Sequence, residues 1–299
     1  MKKRFFAFLL ATFLFLPAVA LAQQVYTWNN PSGGSWGTAA NWTPNGIPSA
    51  GDKAVFNNGG TYTVSSVPTT SIGAIEVDNN TQVTFTTVTP ANTITLTGFG
   101  SGLGNALNIN SGTLTLGGSN AITLSIQTGN TGKIAGTLRF QGAAHRLLSA
   151  DSGSVVFENS SEMIATTGFT GNAFGTANLN SIIFQNGSTY RSQAGANPFG
   201  AAQPNSVVIF QSGSTYRHEQ NSLPSTSGRT YANFVINRLA TLKISSKKQK
   251  KSAQEGIYTN LHAEPSILCK ARDCNLTLSL RDVPLLSQGE GRFGNAKTG

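Results

Sequence analysis

From Thr61 onward the chain is a succession of short runs in which β-branched or apolar residues alternate with polar ones: TYTVSSV, AIEVD, QVTFTTV, NTITLTGF, TLTL, AITLSI, TLRF and SVVIF. A period of two puts alternate side chains on opposite faces, so each run predicts a short strand with one buried face. Asn, Gly and Ser punctuate the runs about every eight to twelve residues, and almost nothing carries a helical period. The expected fold class is all-β.

A longer period arbitrates between all-β architectures. IFQNGSTYRSQ (Ile183 to Gln193) returns 26 positions later as IFQSGSTYRHE (Ile209 to Glu219), with VFENSSEMI upstream and VINRLATLK downstream. Aligning these segments gives three columns: Phe157, Phe184, Phe210 and Ile236; Met163, Tyr190, Tyr216 and Leu242; Ile164, Arg191, Arg217 and Lys243. The first two are large and mostly apolar, as stacked inward positions must be. A repeat of about 26 residues is the size of one coil of a parallel β-solenoid (β-helix), with coils about 4.8 Å apart. The stretch from Ala106 to Phe140 has the texture of earlier coils, whereas a β-sandwich would show distinct strands and no ladders. On this reading Tyr190 and Tyr216 are core residues. Arg191 and Arg217 face outward, where like charges at coil spacing need water or an acid such as Glu219 beside them.

Near the N-terminus stands WNNPSGGSWGTAANWTPNGIPSAGDKAVF, which holds all three tryptophans, Trp28, Trp36 and Trp42. This segment, followed by Gly/Ser/Thr/Asn-rich coils and the FQSGSTY stretches, resembles bacterial secreted and cell-surface β-helix repeat proteins. The likeness is to the autotransporter-associated or adhesin-like kind and to Bacteroidetes-type exported surface proteins, here without a C-terminal sorting domain. It spans Val25 to about Ser246 and rests on composition rather than on catalytic motifs. The resemblance implies a solenoid and a location at the cell surface.

The first residues, MKKRFFAFLLATFLFLPAVALAQQ, have a basic start, an apolar run and the small-residue motif Ala20-Leu21-Ala22. These are the marks of a secretory signal peptide over residues 1–22, cleaved after Ala22, and the apolar run is shorter than the roughly 20 residues of a membrane span. The expected organisation continues with a Trp-rich cap over 23–60, solenoid repeats over 61–246 and a basic tail over 247–299. No transmembrane segment is expected after cleavage. The net charge of +9 belongs to the ends: Gln23 to Asn237 hold seven Lys/Arg against seven Asp/Glu, and eleven Lys/Arg against five acids lie from Arg238 on. A neutral body argues against a nucleic-acid partner, which needs a basic face. The tail loses the Gly/Ser/Thr/Asn turns and carries both cysteines, Cys269 and Cys274, so it is expected to be disordered or to come from a shifted reading frame. Translating the downstream DNA in the other two frames tests the latter: restored strand rungs or a sorting domain support it, and their absence in both frames refutes it.

Candidate chemistry is sparse. Glycosidic hydrolysis needs two carboxylates about the scissile bond, and the acids of the body stand mostly alone. Glu76 and Asp78, on one face of AIEVD, could pair or bind Ca²⁺, but no further ligands accompany them; Asp52 after Gly51 suits a turn. His145-Arg146 and Arg217-His218-Glu219 show neither triad nor metal spacing. No catalytic residue, metal ligand or cofactor is expected. The tryptophans suit a cap over the open core of the solenoid, or, if exposed beside Asn, a platform for sugar rings. Trp28, Trp36, Trp42, Arg191 and Arg217 are thus the candidate glycan-binding residues, and cell-surface or matrix glycans or proteins the expected partners. The expected function is that of an exported structural or adhesive surface protein; the alternative is a carbohydrate-active β-helix protein, a polysaccharide lyase or glycoside hydrolase, or a glycan-binding module.

Overall fold

The computed structural model describes residues 23–100 and 105–237, together with the backbone of two short strands, Ile267–Lys270 and Ser279–Leu280. Residues 1–22, expected to be a signal peptide, and the expected basic tail over 247–299 apart from those two strands lie outside the described residues, as do Leu242, Lys243, the side chain of Cys269 and Cys274. The described chain is all-β, with one 3-10 turn at Ala39–Asn41. Its strands form sheets of nine, eleven and four strands.

The chain visits these sheets in turn. Lys53–Phe56 lies in the first, Thr61–Ser65 in the second and Thr70–Ile72 in the third; Ala74–Val77 then returns to the first and pairs parallel with Lys53–Phe56. Each circuit is one coil of a β-solenoid. In the first sheet the inward column runs Phe56, Val77, Ile109, Ile134, Phe157, Phe184, Phe210. In the second it runs Tyr62, Val83, Leu114, Leu138, Met163, Tyr190, Tyr216, Phe234. All of these are buried. Parallel pairing in register forces like positions on top of each other, and in the later coils the rings stack: Phe157 on Phe184 at 4.3 Å and 6°, Phe184 on Phe210 at 4.8 Å and 14°, Tyr190 on Tyr216 at 5.5 Å and 4°. Such pairs add about 0.5–1.5 kcal/mol each beyond the area they bury.

The corner between the first two sheets explains the rest of the repeated letters. In Glu158–Ser161, Gln185–Ser188 and Gln211–Ser214 the serine N–H donates to the first residue's carbonyl at 3.1, 3.0 and 2.9 Å. Each serine hydroxyl donates to that same carbonyl at 2.6 Å. The three serines are buried, so their hydroxyls need these partners. The residue before each takes positive φ, at Ser160 66°, Gly187 80° and Gly213 86°, which favours glycine. At Gly213 a second reason applies, because a Cβ there would overlap the Asn186 amide oxygen of the preceding coil. FQNGSTY therefore spells a stacked ring, a turn, a buried serine that closes it, an outward threonine and a second stacked ring.

Two expectations need correction. Ile236 does not continue the phenylalanine column: Asn233–Ile236 pairs with Thr215–His218 in the second sheet, so Phe234 follows Tyr216, Val235 follows Arg217 and Ile236 follows His218. Only 18 residues separate Tyr216 from Phe234, too few to revisit the first sheet at the usual pitch. The solenoid also begins before residue 61, since Val25–Trp28 already pairs parallel with Lys53–Phe56. The third sheet has only four strands, the last being Arg146–Ser149. Later coils replace it with loops whose Phe169, Phe174, Phe199 and Tyr231 are buried in the core. Two of these loops are held in step by Asn172, whose Nδ2 donates to the Asn197 carbonyl at 2.9 Å.

Truncation of a stacked ring, Phe184→Ala, is expected to cost about 3–5 kcal/mol by urea denaturation, against less than about 0.5 kcal/mol for the outward Thr189→Ala. Gly213→Ala is expected to destabilise by about 1 kcal/mol or more, with partial recovery in Asn186→Ala/Gly213→Ala; equal stability of both variants with the parent would contradict the corner geometry.

Candidate functional site

The outward rows of the second sheet carry the side chains that the repeat presents to solvent. One column runs Thr61, Gln82, Thr113, Thr137, Glu162, Thr189, Thr215, Asn233, and its neighbour Thr63, Thr84, Thr115, Arg139, Ile164, Arg191, Arg217, Val235. The early coils carry mostly threonines, with Gln82 among them, and the later ones gather charge; Thr115 and Ile164 of the second column are buried. Stacked register brings Arg191 and Arg217 onto adjacent strands, and Glu219, just beyond Arg217, lies between them. Arg191 donates from Nε and Nη2 to the two Glu219 oxygens at 3.2 Å each, and Gln193 Nε2 donates to Glu219 Oε2 at 2.7 Å. Arg191 Nη1 lies 3.9 Å from Glu162 Oε2 and Arg217 Nη1 3.8 Å from Glu219 Oε1. Two cations thus face two carboxylates, a locally neutral cluster that relieves the repulsion between Arg191 and Arg217; Arg139 stands two strands away in the same column. For exposed pairs of this kind each contact is worth about 0–1 kcal/mol. The Glu219 side chain is 10% exposed and the Arg217 side chain 42% exposed; of the two arginines, Arg217 presents more surface.

The three tryptophans are elsewhere and inside. Trp28, Trp36 and Trp42 are at most 1% exposed. Trp42 lies edge-on to Trp28 at 4.9 Å and to Trp36 at 5.0 Å, and all three pack on Phe56. The indole N–H of Trp42 donates to the Trp36 carbonyl at 2.9 Å and that of Trp28 to the Asn30 carbonyl at 2.6 Å. A buried ring offers no face to a sugar, so the structure withdraws these residues from the candidate glycan set. Trp42 belongs to a short strand antiparallel to Val25–Trp28, which ends the parallel stack on that side.

The acids of the body are each engaged. Glu76 pairs with Lys53 at 2.6 Å and Glu158 with Lys133 at 3.2 Å. Asp52 Oδ2 accepts from the Ser49 N–H at 2.9 Å, and Oδ1 from the Gln24 N–H at 2.9 Å. Asp78 accepts from the Asn79 N–H at 2.7 Å and the Ser111 hydroxyl at 2.9 Å, bonds that hold its carboxyl below the usual range. Asp151 Oδ2 accepts from the Gly129 N–H at 2.6 Å. Glu76 and Asp78 are turned to different partners, one across strands and one into a corner, so they do not form the pair their spacing allowed. Among the described residues no group of three or more His, Cys, Asp or Glu could hold a metal ion, and no helix is long and apolar enough to cross a membrane.

His145 is fully buried and both ring nitrogens are used: Nδ1 accepts from the Ile122 N–H at 3.0 Å, and Nε2 donates to the Gln141 carbonyl at 3.0 Å. This ring takes the place of a backbone acceptor beside the third sheet. His218 is also buried, on the inward side of Thr215–His218, with Nε2 2.6 Å from the Ser222 carbonyl. Sequence alternation was the signal for this: Tyr216 and His218 share a parity opposite to that of Arg217.

Comparison of the chain with protein-family models, curated proteins and solved structures returned no match.

Burial pushes the pKa of both histidines below the ordinary value of 6.5. A depressed folded-state pKa means the unfolded chain takes up protons first, so the stability is fully present above about pH 6.5 and falls as pH drops below it. The urea midpoint is expected to fall between pH 7 and pH 5, and by less in His145→Gln; a flat profile in the parent would contradict neutral burial.

Proposed function

We propose that this protein is an exported structural or adhesive surface protein, a non-catalytic β-solenoid that presents its outer rows to glycans or proteins of the cell surface or matrix. The observation that carries this reading is the character of the second sheet's outer face. Over eight stacked strands it offers a threonine-rich column and beside it Arg139 and a mutually paired cluster of Arg191 and Arg217 with Glu162 and Glu219. Parallel stacking makes such a face periodic, which suits contact with another extended, repetitive surface. The basic, apolar and small-residue segments of residues 1–22 support export.

The solenoid also suits a load-bearing element. Strands of neighbouring coils are hydrogen-bonded along the solenoid axis; Trp28, Trp36 and Trp42 fill the core at one end, and Tyr231 and Phe234 fill it at the last parallel pairing, beyond which Ile267–Lys270 pairs antiparallel. The weak anionic-glycan role of Arg191 and Arg217 narrows in this reading to Arg217, because Arg191 is committed to Glu219.

The test is production of the full chain in a bacterial host, followed by fractionation, N-terminal sequencing and retention on glycan-coated and matrix-coated surfaces. The expected result is an exported protein beginning at Gln23 that is retained on such a surface and releases no sugar fragments from polysaccharides. Cytoplasmic protein that keeps Met1, or depolymerisation of a polysaccharide, would overturn the reading.

A further inference from the structure

One inward column breaks the rule that the others keep. At the far end of the second sheet's strands it runs Val64, Phe85, Leu116, Phe140, Ala165, Ser192, His218, Ile236. Five apolar residues give way to two polar ones, both no more than 2% exposed. Ser192 is satisfied, because Gln220 Nε2 donates to its hydroxyl at 2.6 Å. His218 is satisfied on one side only. A carbonyl can only accept, so the Nε2 contact to the Ser222 carbonyl at 2.6 Å places the ring proton on Nε2 and makes Nδ1 the atom that takes a second proton. Nδ1 is enclosed, with no hydrogen-bond partner among the described residues. A proton there puts a charge and an unpaired N–H into the core, and both are costly to bury.

No group packed about the ring compensates that charge. Tyr216 shares its strand and face, Tyr190 and Ser192 are inward on the strand before, and Phe234 and Ile236 are inward on the strand after. Burial raises the pKa of Tyr190 and Tyr216 above the ordinary value, so both hydroxyls stay neutral. The loop over 193–207 holds no charged residue, and that over 219–232 holds Glu219 and Arg229, with Tyr231 also raised by burial. Arg229 is a further cation, set over the Phe199 ring, and the Glu219 carboxylate is on the outer side, where Arg191 and Gln193 donate to it. A protonated ring therefore reaches water only by turning out of the column. Consecutive residues of a strand face opposite sides, so a turn that takes His218 outward takes Glu219 away from the arginines. The rung that must break is the Glu219 N–H bond to the Ser192 carbonyl at 2.8 Å. It lies at a weak place, because a loop stands there in place of the third sheet and one parallel strand, Asn233–Ile236, follows; such ends open locally at lower cost than the middle of a sheet.

We propose that His218 is an acid-released latch on the outer arginines: neutral, it holds Glu219 across Arg191; protonated, it leaves the core and frees Arg191 and Arg217 for a sulfated glycan. Two cations then face one carboxylate, Glu162, at 3.9 Å from Arg191 Nη1. The choice of a glycan rests on the adhesive reading above; the latch does not depend on it. The direction follows from burial, which pushes the His218 pKa below the ordinary value of 6.5. The open form takes up the proton first, so the latch is closed above about pH 6.5 and opens as pH falls below it. Arginine and sulfate keep their charges throughout.

The experiment measures amide hydrogen exchange of the full chain, and its affinity for a heparin-derived hexasaccharide, each at pH 7 and pH 5. After correction for intrinsic exchange rates, protection over 215–219 is expected to fall by about tenfold or more at pH 5, and that of Thr137–Phe140 in the middle of the same sheet by less. The sulfated sugar is expected to bind about fivefold more tightly at pH 5, the gain that one or two freed ion pairs supply. His218→Phe keeps a ring that takes no proton and should lose both changes; Arg191→Gln/Arg217→Gln should keep the first and lose the second. The parent decides even where His218→Phe does not fold: unchanged protection over 215–219, or an equal loss over 137–140, would overturn the latch. An acid gain in binding that survives His218→Phe or the paired arginine variant would overturn it as well. Local loss of protection without a gain in binding would overturn the proposed ligand and leave the adhesive reading to the retention measurement; both changes in a chain that is not exported would remove that reading and leave the latch.

Discussion

The constraint on which the structure depends is parallel, in-register pairing between coils. Once Ala74–Val77 pairs with Lys53–Phe56, each position must accept its counterpart one coil away at about 4.8 Å. Apolar positions gain from this, and flat rings gain most, since equivalent phenylalanines and tyrosines meet face to face. Charged positions lose, which is why the Arg191 and Arg217 column survives only with Glu219 and Glu162 beside it. Corners are constrained in the same way: Gly213 is needed because Asn186 of the coil before it occupies the adjoining space.

Register also explains how much of the fold was legible. Where coils are of equal length, distance in the sequence becomes position in a column, so Phe157, Phe184 and Phe210 could be stacked from the letters alone. Coil lengths vary elsewhere: Val77 stands 32 residues before Ile109, and Phe56 only 21 before Val77. There the spacing gives strands but not their partners. Ile236 stands in another column than equal spacing implies for a related reason. Equal spacing puts Leu242 beneath Tyr216 where the pairing puts Phe234, and this shift of eight residues is even, so it preserves the alternation and only pairing with Thr215–His218 reveals it. The loops that replace the third sheet left a different signal, Asn-x-Phe-Gly at Asn172–Gly175 and again 25 residues later at Asn197–Gly200, in which each Asn side chain accepts from the Phe N–H; it has no strand alternation, and the rings gain burial from loop packing.

The candidate site was legible in part. Arg191 and Arg217 were outward as their parity required, while their engagement by Glu219 depends on a residue that follows the strand rather than one that belongs to it. The tryptophans were ambiguous by composition, since capping and sugar stacking use the same ring; burial decides for packing. His218 shows what a motif search overlooks. It lies between arginine and glutamate in the sequence, yet alternation turns it inward, next to Ser192 of the previous coil and beside the place where the third sheet is missing.

The central claim is that the duplicated stretch is the pitch of a coil. Nitroxide labels at Thr189 and Thr215, in a background with Cys269→Ser and Cys274→Ser, test it most directly, because those two outward residues sit opposite each other on adjacent parallel strands. At a strand spacing of about 4.8 Å the doubly labelled protein should give a continuous-wave EPR spectrum strongly broadened by spin–spin interaction. A spectrum equal to the sum of the two singly labelled proteins would place the repeats apart and contradict the solenoid.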